Sequence, residues 1–301
     1  MVTIPRIARW VGGLLLAVAA NVWAALPYGV SCQFANYGGS GGCEMSDIED
    51  DSATFHGSVA FDFYGLQASE TGATGMVRSR IGDSGIEIVA SGHAHDQFWV
   101  SGSVSALSLW SDSLLVTSST LALGTPVRMR FTHRLEMAIS ESQDLYGPYS
   151  SLSFSSGLVS SASLLWTNAA SGTTGLNDAF SYQSVTAQNT SENQYVIDTV
   201  VGGTISVSYS MSASMHWMLE QPTANIPDAS RFTANIDAGN SGHIYFEALD
   251  PGVVLVADSG HDFAPPSPVP EPSAWALMLL GVGALAGRRH LAGSRRGASF
   301  S

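Results

Sequence analysis

The chain has 301 residues, a formal net charge of −13, and 45% hydrophobic residues against 12% charged ones. All 12 basic residues are arginines, and only six of them (Arg78, Arg80, Arg128, Arg130, Arg134, Arg231) fall within residues 25–270, against 24 of the 25 acidic residues. Six against 24 leaves that region near −18, a field that disfavours nucleic acid and anionic membrane surfaces as partners.

At the N-terminus Arg6 and Arg9 precede an apolar run from Trp10 to Ala20, and Val22-Trp23-Ala24 puts a small residue at a cleavage edge. This is the pattern of a secretory signal peptide over residues 1–24, with signal peptidase as the implied partner. Cleavage is expected after Ala24, with Ala25 as the second choice. The run is shorter than the ~20 apolar residues of a spanning helix. Residues 25–52 form a lead-in holding the chain's 2 cysteines, Cys32 and Cys43, with a glycine-rich stretch between them. Outside the cytoplasm a disulfide is expected there. Two thiols without a nearby histidine argue against zinc, and the absence of a CxxC spacing argues against redox chemistry. Asp47, Glu49, Asp50 and Asp51 offer the hard oxygens that calcium takes, but lack EF-hand spacing and its glycine. A solvated acidic loop is the preferred reading, and no cofactor is expected.

Residues 53–263 read as β throughout. Apolar side chains alternate with polar ones from Val127 to Ile139 and from Ile205 to Trp217, with shorter copies through Phe55, Val59, Phe61 and Phe63, and through Ile244 and Phe246. A period of two marks strands with one dry and one wet face. The expected fold is all-β, an antiparallel β-sandwich or jelly-roll body flanked by an N-terminal signal helix and a short C-terminal hydrophobic helix. Polar clusters at Gly82-Asp83, Ser111–Ser113, Ser171–Thr174 and Asp237–Gly239 are read as turns. Strands this long call for bulges. His261-Asp262 is placed at the edge of the last strand.

Catalytic-looking strings fail on context. Gly38-Gly39-Ser40-Gly41-Gly42 fits GxSxG but lies in the cysteine loop with no helix after it. Gly82-Asp83-Ser84-Gly85 resembles a serine-protease string, yet His56 precedes it too closely for a two-barrel triad, so a turn is expected. No nucleophile, base and orienter converge at recognisable spacings, and no enzyme activity is expected. His93 and His95 share a face of an extended chain, with Asp96 able to orient one ring, and form the candidate metal site. No third ligand is evident, so polar residues flanking a turn are preferred. His133 falls in phase with the buried face of its strand. Arg128, Arg130 and Arg134 line one wet strand face as a candidate anion- or glycan-binding stripe; cross-strand ion pairing is the plainer reading. Ser206 to His216 make a neutral hydroxyl face, either glycan-facing, protein-facing or merely solvated. Of Trp99, Trp110, Trp166 and Trp217, the last is in phase with the core.

The chain ends with a Pro-rich linker at 264–273 containing Val269-Pro270-Glu271-Pro272, an apolar run of 14 residues at 274–287, and a basic tail at 288–301 with Arg288, Arg289, Arg295 and Arg296. At about 1.5 Å per residue the run reaches only about 21 Å against a hydrocarbon core of about 30 Å. Its position between prolines and arginines favours a transient membrane segment, with the arginines on the cytoplasmic side. The three parts resemble the PEP-CTERM tail of bacterial envelope proteins. That resemblance implies an exosortase-type processing enzyme, transient inner-membrane anchoring, and delivery to the envelope, outer surface or exterior. It also implies an exopolysaccharide or biofilm setting. The expected role is structural or adhesive, with a carbohydrate-binding module next and a secreted hydrolase last.

Overall fold

The computed structural model describes residues 27–36, 38–61, 69–95, 98–168, 172–183, 187–222 and 228–266. The predicted signal helix, PEP motif, hydrophobic segment and basic tail, together with Asp96 and Phe63, lie outside the described residues. Among the described residues no helix is long and apolar enough to cross a membrane.

Strands follow one another as β1 (Tyr28–Asn36), β2 (Gly39–Gly41), β3 (Glu44–Ser46), β4 (Ser52–Phe61), β5 (Ser69–Arg80), β6 (Asp83–Ala94) and β7 (Trp99–Ser118). Then come β8 (Pro126–Asp144), β9 (Ser151–Asn168), β10 (Gly172–Gln183), β11 (Ala187–Val200), β12 (Thr204–Glu220), β13 (Ser230–Ala248) and β14 (Val253–Ala257). They form two antiparallel sheets. Sheet I runs β10-β9-β12-β7-β1-β2, with β14 also on β7, and sheet II runs β11-β8-β13-β6-β5-β4-β3.

The alternation in the sequence sets which face is dry. Val127, Met129, Phe131, Leu135, Met137 and Ile139 of β8 are buried, as are Ile205, Val207, Met211, Met215 and Trp217 of β12. The even-numbered residues of both strands point to the other face, because successive side chains on a strand point to opposite faces. The two dry faces meet in one continuous core. Each large aliphatic or aromatic side chain buried there stabilises the fold by roughly 1.5–3 kcal/mol. Trp217 packs on Phe34 with ring centroids 6.0 Å apart and donates its Nε1–H to Thr71 Oγ1 at 2.8 Å.

Residues 27–36 and 38–52 of the expected lead-in are built into the sandwich. β1 pairs with β7 in sheet I, whereas Cys43 immediately precedes β3 of sheet II. The expected Cys32–Cys43 disulfide is formed, with Cα atoms 5.2 Å apart. It therefore ties one sheet to the other.

Three of the four expected turns are strand in their described residues. Ser111-Asp112-Ser113 lies inside β7, where these residues pair with Ser208, Val207 and Ser206 of β12. The polar cluster is tolerated in mid-strand because its serines face water and Asp112 accepts a hydrogen bond from Ser259 Oγ at 2.5 Å. Asp237–Gly239 opens the bulge of β13, whose register shifts between Ala238 and Gly242. Gly82 does occupy the β5–β6 turn, with φ +80°, a left-handed value that glycine takes without a steric cost. Gly172, with φ +76°, starts β10, so Thr173 and Thr174 belong to that strand. His261 and Asp262 fall beyond the last strand, and the His261 ring stands edge-on to Phe263 at 4.7 Å.

Candidate functional site

Where β8 and β11 of sheet II face β9, β10 and β12 of sheet I, apolar packing gives way to a connected polar cluster. His133 projects from β8 in the buried phase anticipated for it and is fully enclosed. Its Nδ1 lies 2.7 Å from Asp178 Oδ2 and its Nε2 lies 2.8 Å from Ser160 Oγ. Ser160 Oγ is in turn 2.6 Å from Tyr209 Oη. Asp178 Oδ1 accepts from Asn193 Nδ2 at 2.8 Å and from Tyr195 Oη at 2.7 Å.

Hydrogen-bond chemistry fixes the protons. An ionised Asp178 can only accept, so His133 Nδ1 carries the hydrogen and Nε2 accepts from the Ser160 hydroxyl. Ser160 Oγ then accepts from Tyr209. Burial lowers the pKa of His133 and outweighs the opposing pull of Asp178, so the ring is neutral. Burial alone would raise the pKa of Asp178, but the hydrogen bonds from Tyr195, Asn193 and His133 hold it below the usual carboxylate range. The Tyr209 hydroxyl is pushed up by its burial. The bulge of β13 abuts this cluster: a Cβ at Gly242 would come within 1.9 Å of Tyr209 Oη, so only glycine leaves the tyrosine in place.

A pH dependence of stability follows. Below about pH 6.5 the unfolded chain protonates its histidine, whereas native His133 resists the proton. Stability contributed by neutral His133 is therefore intact above that pH and declines as pH falls below it. Asp178, with its lowered folded pKa, adds a second loss at more acid pH, below the ordinary carboxylate value. Denaturation midpoints measured between pH 7.5 and 5 are expected to fall, and the His133→Phe variant is expected to lose that slope. An unchanged slope in His133→Phe would refute the assignment.

Ser160, His133 and Asp178 have the connectivity of an acyl-transfer triad, a convergence the sequence did not disclose. Ser160 and His133 are both 0% exposed. A nucleophile needs space for the reacting carbonyl and donors aimed at its oxygen; here Ser160 Oγ is enclosed between His133 and Tyr209. The cluster joins the two sheets with Ser160 and His133 enclosed, while Asp178 and Tyr209 are among the residues lining a depression of about 920 Å³ at sheet I.

The other candidates separate. Ser40 is in β2, paired with Ala35, as part of the β1–β2 hairpin. Ser84 is buried and accepts from Ser108 Oγ at 2.8 Å, while His56 is an outward residue of β4 opposite Glu44 and Thr74. The rings of His93 and His95 lie 5.8 Å apart, but His95 is buried and its backbone N–H donates to Ser69 Oγ at 3.0 Å. No group of three or more His, Cys, Asp or Glu side chains able to hold a metal occurs among the described residues. In the acidic loop, Asp51 pairs with Arg80 and Asp47 accepts from Thr54 at 3.2 Å. Arg128, Arg130 and Arg134 share the outer face of sheet II, and each meets a carboxylate: Asp250 at 3.7 Å, Glu247 at 2.6 Å, and Glu136. Trp110, Trp166 and Trp217 are buried. Trp99, half-buried, opens β7.

The described residues thus form an antiparallel β-sandwich with a buried polar cluster between its sheets. Residues 268–296 match the family model of the PEP-CTERM protein-sorting motif. The chain carries that sorting address, which implies exosortase processing and export to the cell envelope or surface. No curated protein matches it. Among solved structures, one described as carbohydrate-binding modules of the β-sandwich superfamily is similar at 9% identity, covering 71% of this chain and 85% of that one. Its TM-score is 0.12, a likeness too slight to argue from.

Proposed function

We propose that the body is a non-catalytic structural or adhesive protein of the envelope or extracellular matrix, held among exopolysaccharide. Its leader is removed at residues 1–24, and its tail anchors it in the inner membrane until processing. The observation that carries this reading is the enclosure of Ser160 and His133 at 0% exposure, which withholds the described triad-like set from any substrate. Long strands, with a disulfide between the sheets, suit a load-bearing module. A glycan-binding role for Arg128, Arg130 and Arg134 gains no support from their positions, since each already faces a carboxylate.

The test is the exported protein purified from its producing cells and offered ester, peptide and glycoside substrates, alongside the Ser160→Ala variant. No turnover above that of Ser160→Ala is expected, together with retention of the protein in the extracellular polysaccharide fraction. Turnover abolished by Ser160→Ala would overturn the non-catalytic reading.

A further inference from the structure

Formal charge in the body is laid out asymmetrically. All six arginines of residues 25–270 stand on β5, β8 and β13 of sheet II. The outward positions of sheet I are different. On β12 they are serines from Ser206 to Ser214, then His216 and Met218, with Thr204 and Glu220 at the strand's two ends; on β7 from Ser101 to Leu115 and on β9 from Ser153 to Leu165 they include no Asp, Glu or Arg. Neighbouring strands bring these side chains into cross-strand rows. Ser208 lies between Ser111 and Ser163, and Ser210 lies between Leu109 and Ser161. The hydroxyls of Ser161 and Ser210 are 2.7 Å apart.

This face is also hollowed. Depressions of about 920, 580 and 390 Å³ follow one another along β12, the first at Ser208 and Ser210, the second at Ser212 and Ser214, the third at Ser214 and His216. From Ser208 to His216 the floor runs about 27 Å at a strand rise of about 3.4 Å per residue. Ser210, Ser212 and Ser214 are half-buried at its base. Leu109 and Val159, 43% and 38% exposed, stand along it.

We propose that this face of sheet I is a docking groove for a neutral polysaccharide strand, which makes it the adhesive surface of the matrix role proposed above. An anionic polymer finds no cation in the groove and also meets the field of a body near −18, screened only beyond about 8 Å; the carboxylate among the residues lining the first depression, Asp178, is buried and already accepts from Asn193 and Tyr195. Serine hydroxyls both donate and accept, so they suit a ligand whose polar groups are hydroxyls, directly or through water. The aliphatic side chains offer surface to its C–H faces. A second copy of the chain fits less well: protein interface cores are rich in aromatic residues and arginine and poor in serine, the reverse of this face.

The test is affinity electrophoresis of the native exported protein in gels containing dextran, hydroxyethylcellulose or alginate. Retardation by at least one of the two neutral polymers, and not by alginate, is expected. Ser212→Asp, which puts a carboxylate on the groove floor with no partner, is expected to weaken binding at least about tenfold. Leu109→Asp, at an exposed position, is expected to do the same. Arg130→Ala on the opposite sheet is expected to bind normally, and thermal unfolding checks that each variant is folded. Undiminished binding by both folded aspartate variants, preference for alginate, or no retardation by a neutral polymer would overturn the groove. So would a dimer that Ser212→Asp converts to monomer in sedimentation, which would mark a second copy as the occupant. Fractionation separates the two levels of the proposal. If wild type and Ser212→Asp are both retained in the polysaccharide fraction, the groove is wrong and the matrix role stands; if wild type itself washes free, the matrix role falls.

Discussion

Asp178→Ala is expected to destabilise the folded body by about 3 kcal/mol, because three donors lose their acceptor at once and each buried polar group left unsatisfied costs about 1–3 kcal/mol. The donors are His133 Nδ1, Asn193 Nδ2 and Tyr195 Oη. Partial exposure of Asn193 and Tyr195 lets water relieve some of the loss, which keeps the figure well below the sum of the upper limits. Asp178→Asn should cost less, because it keeps the shape and one acceptor oxygen. Against the 5–15 kcal/mol stability of a typical domain, a change of this size is large. It is read from the shift in the urea midpoint at constant slope. A loss below about 1 kcal/mol would mean that the cluster is solvated and not sealed.

The second large effect is expected from the disulfide. Replacing Cys32 and Cys43 by serine should cost about 3 kcal/mol, the chain-entropy value for closing a loop this short. The sequence separation is 11 residues, yet the bond joins β1 of sheet I to the chain entering β3 of sheet II. Its loss should therefore free β2 and β3 first, where each sheet ends. Denaturation with and without a reductant measures the effect: wild type should respond to the reductant and the double serine variant should not. Equal midpoints for wild type under both conditions would show that the bond does not hold the edge.

Strand identity was legible because it is local. The alternation through β8 and β12 states both the conformation and the buried face, and it placed His133 indoors and Trp217 in the core. The disulfide was legible because only one pairing exists. Strand ends were harder to read. Ser111-Asp112-Ser113 carries turn chemistry but is held extended by two-sided pairing, with β12 on one edge of β7 and the Ser259 contact at Asp112. The polar cluster could not be read at all. Ser160 and Asp178 are a serine and an aspartate in polar surroundings on separate strands, and only the antiparallel register Asp178↔Ala162 beside Ser160 brings them to His133 of the other sheet. The arginine stripe was legible as a stripe, but its partners Asp250 and Glu247 lie more than a hundred residues away. The neutrality of sheet I likewise emerges only when strand order is known, since it belongs to β7, β9 and β12 jointly.

Intact-mass spectrometry of the native protein, taken from its own cells without reductant, tests most directly whether this sandwich is exported cargo between two removable ends. The expected species begins at Ala25 or Leu26, lacks the basic tail after the Pro270 region, and carries Cys32 and Cys43 oxidised. A species running from Met1 to Ser301 with both thiols free would contradict it.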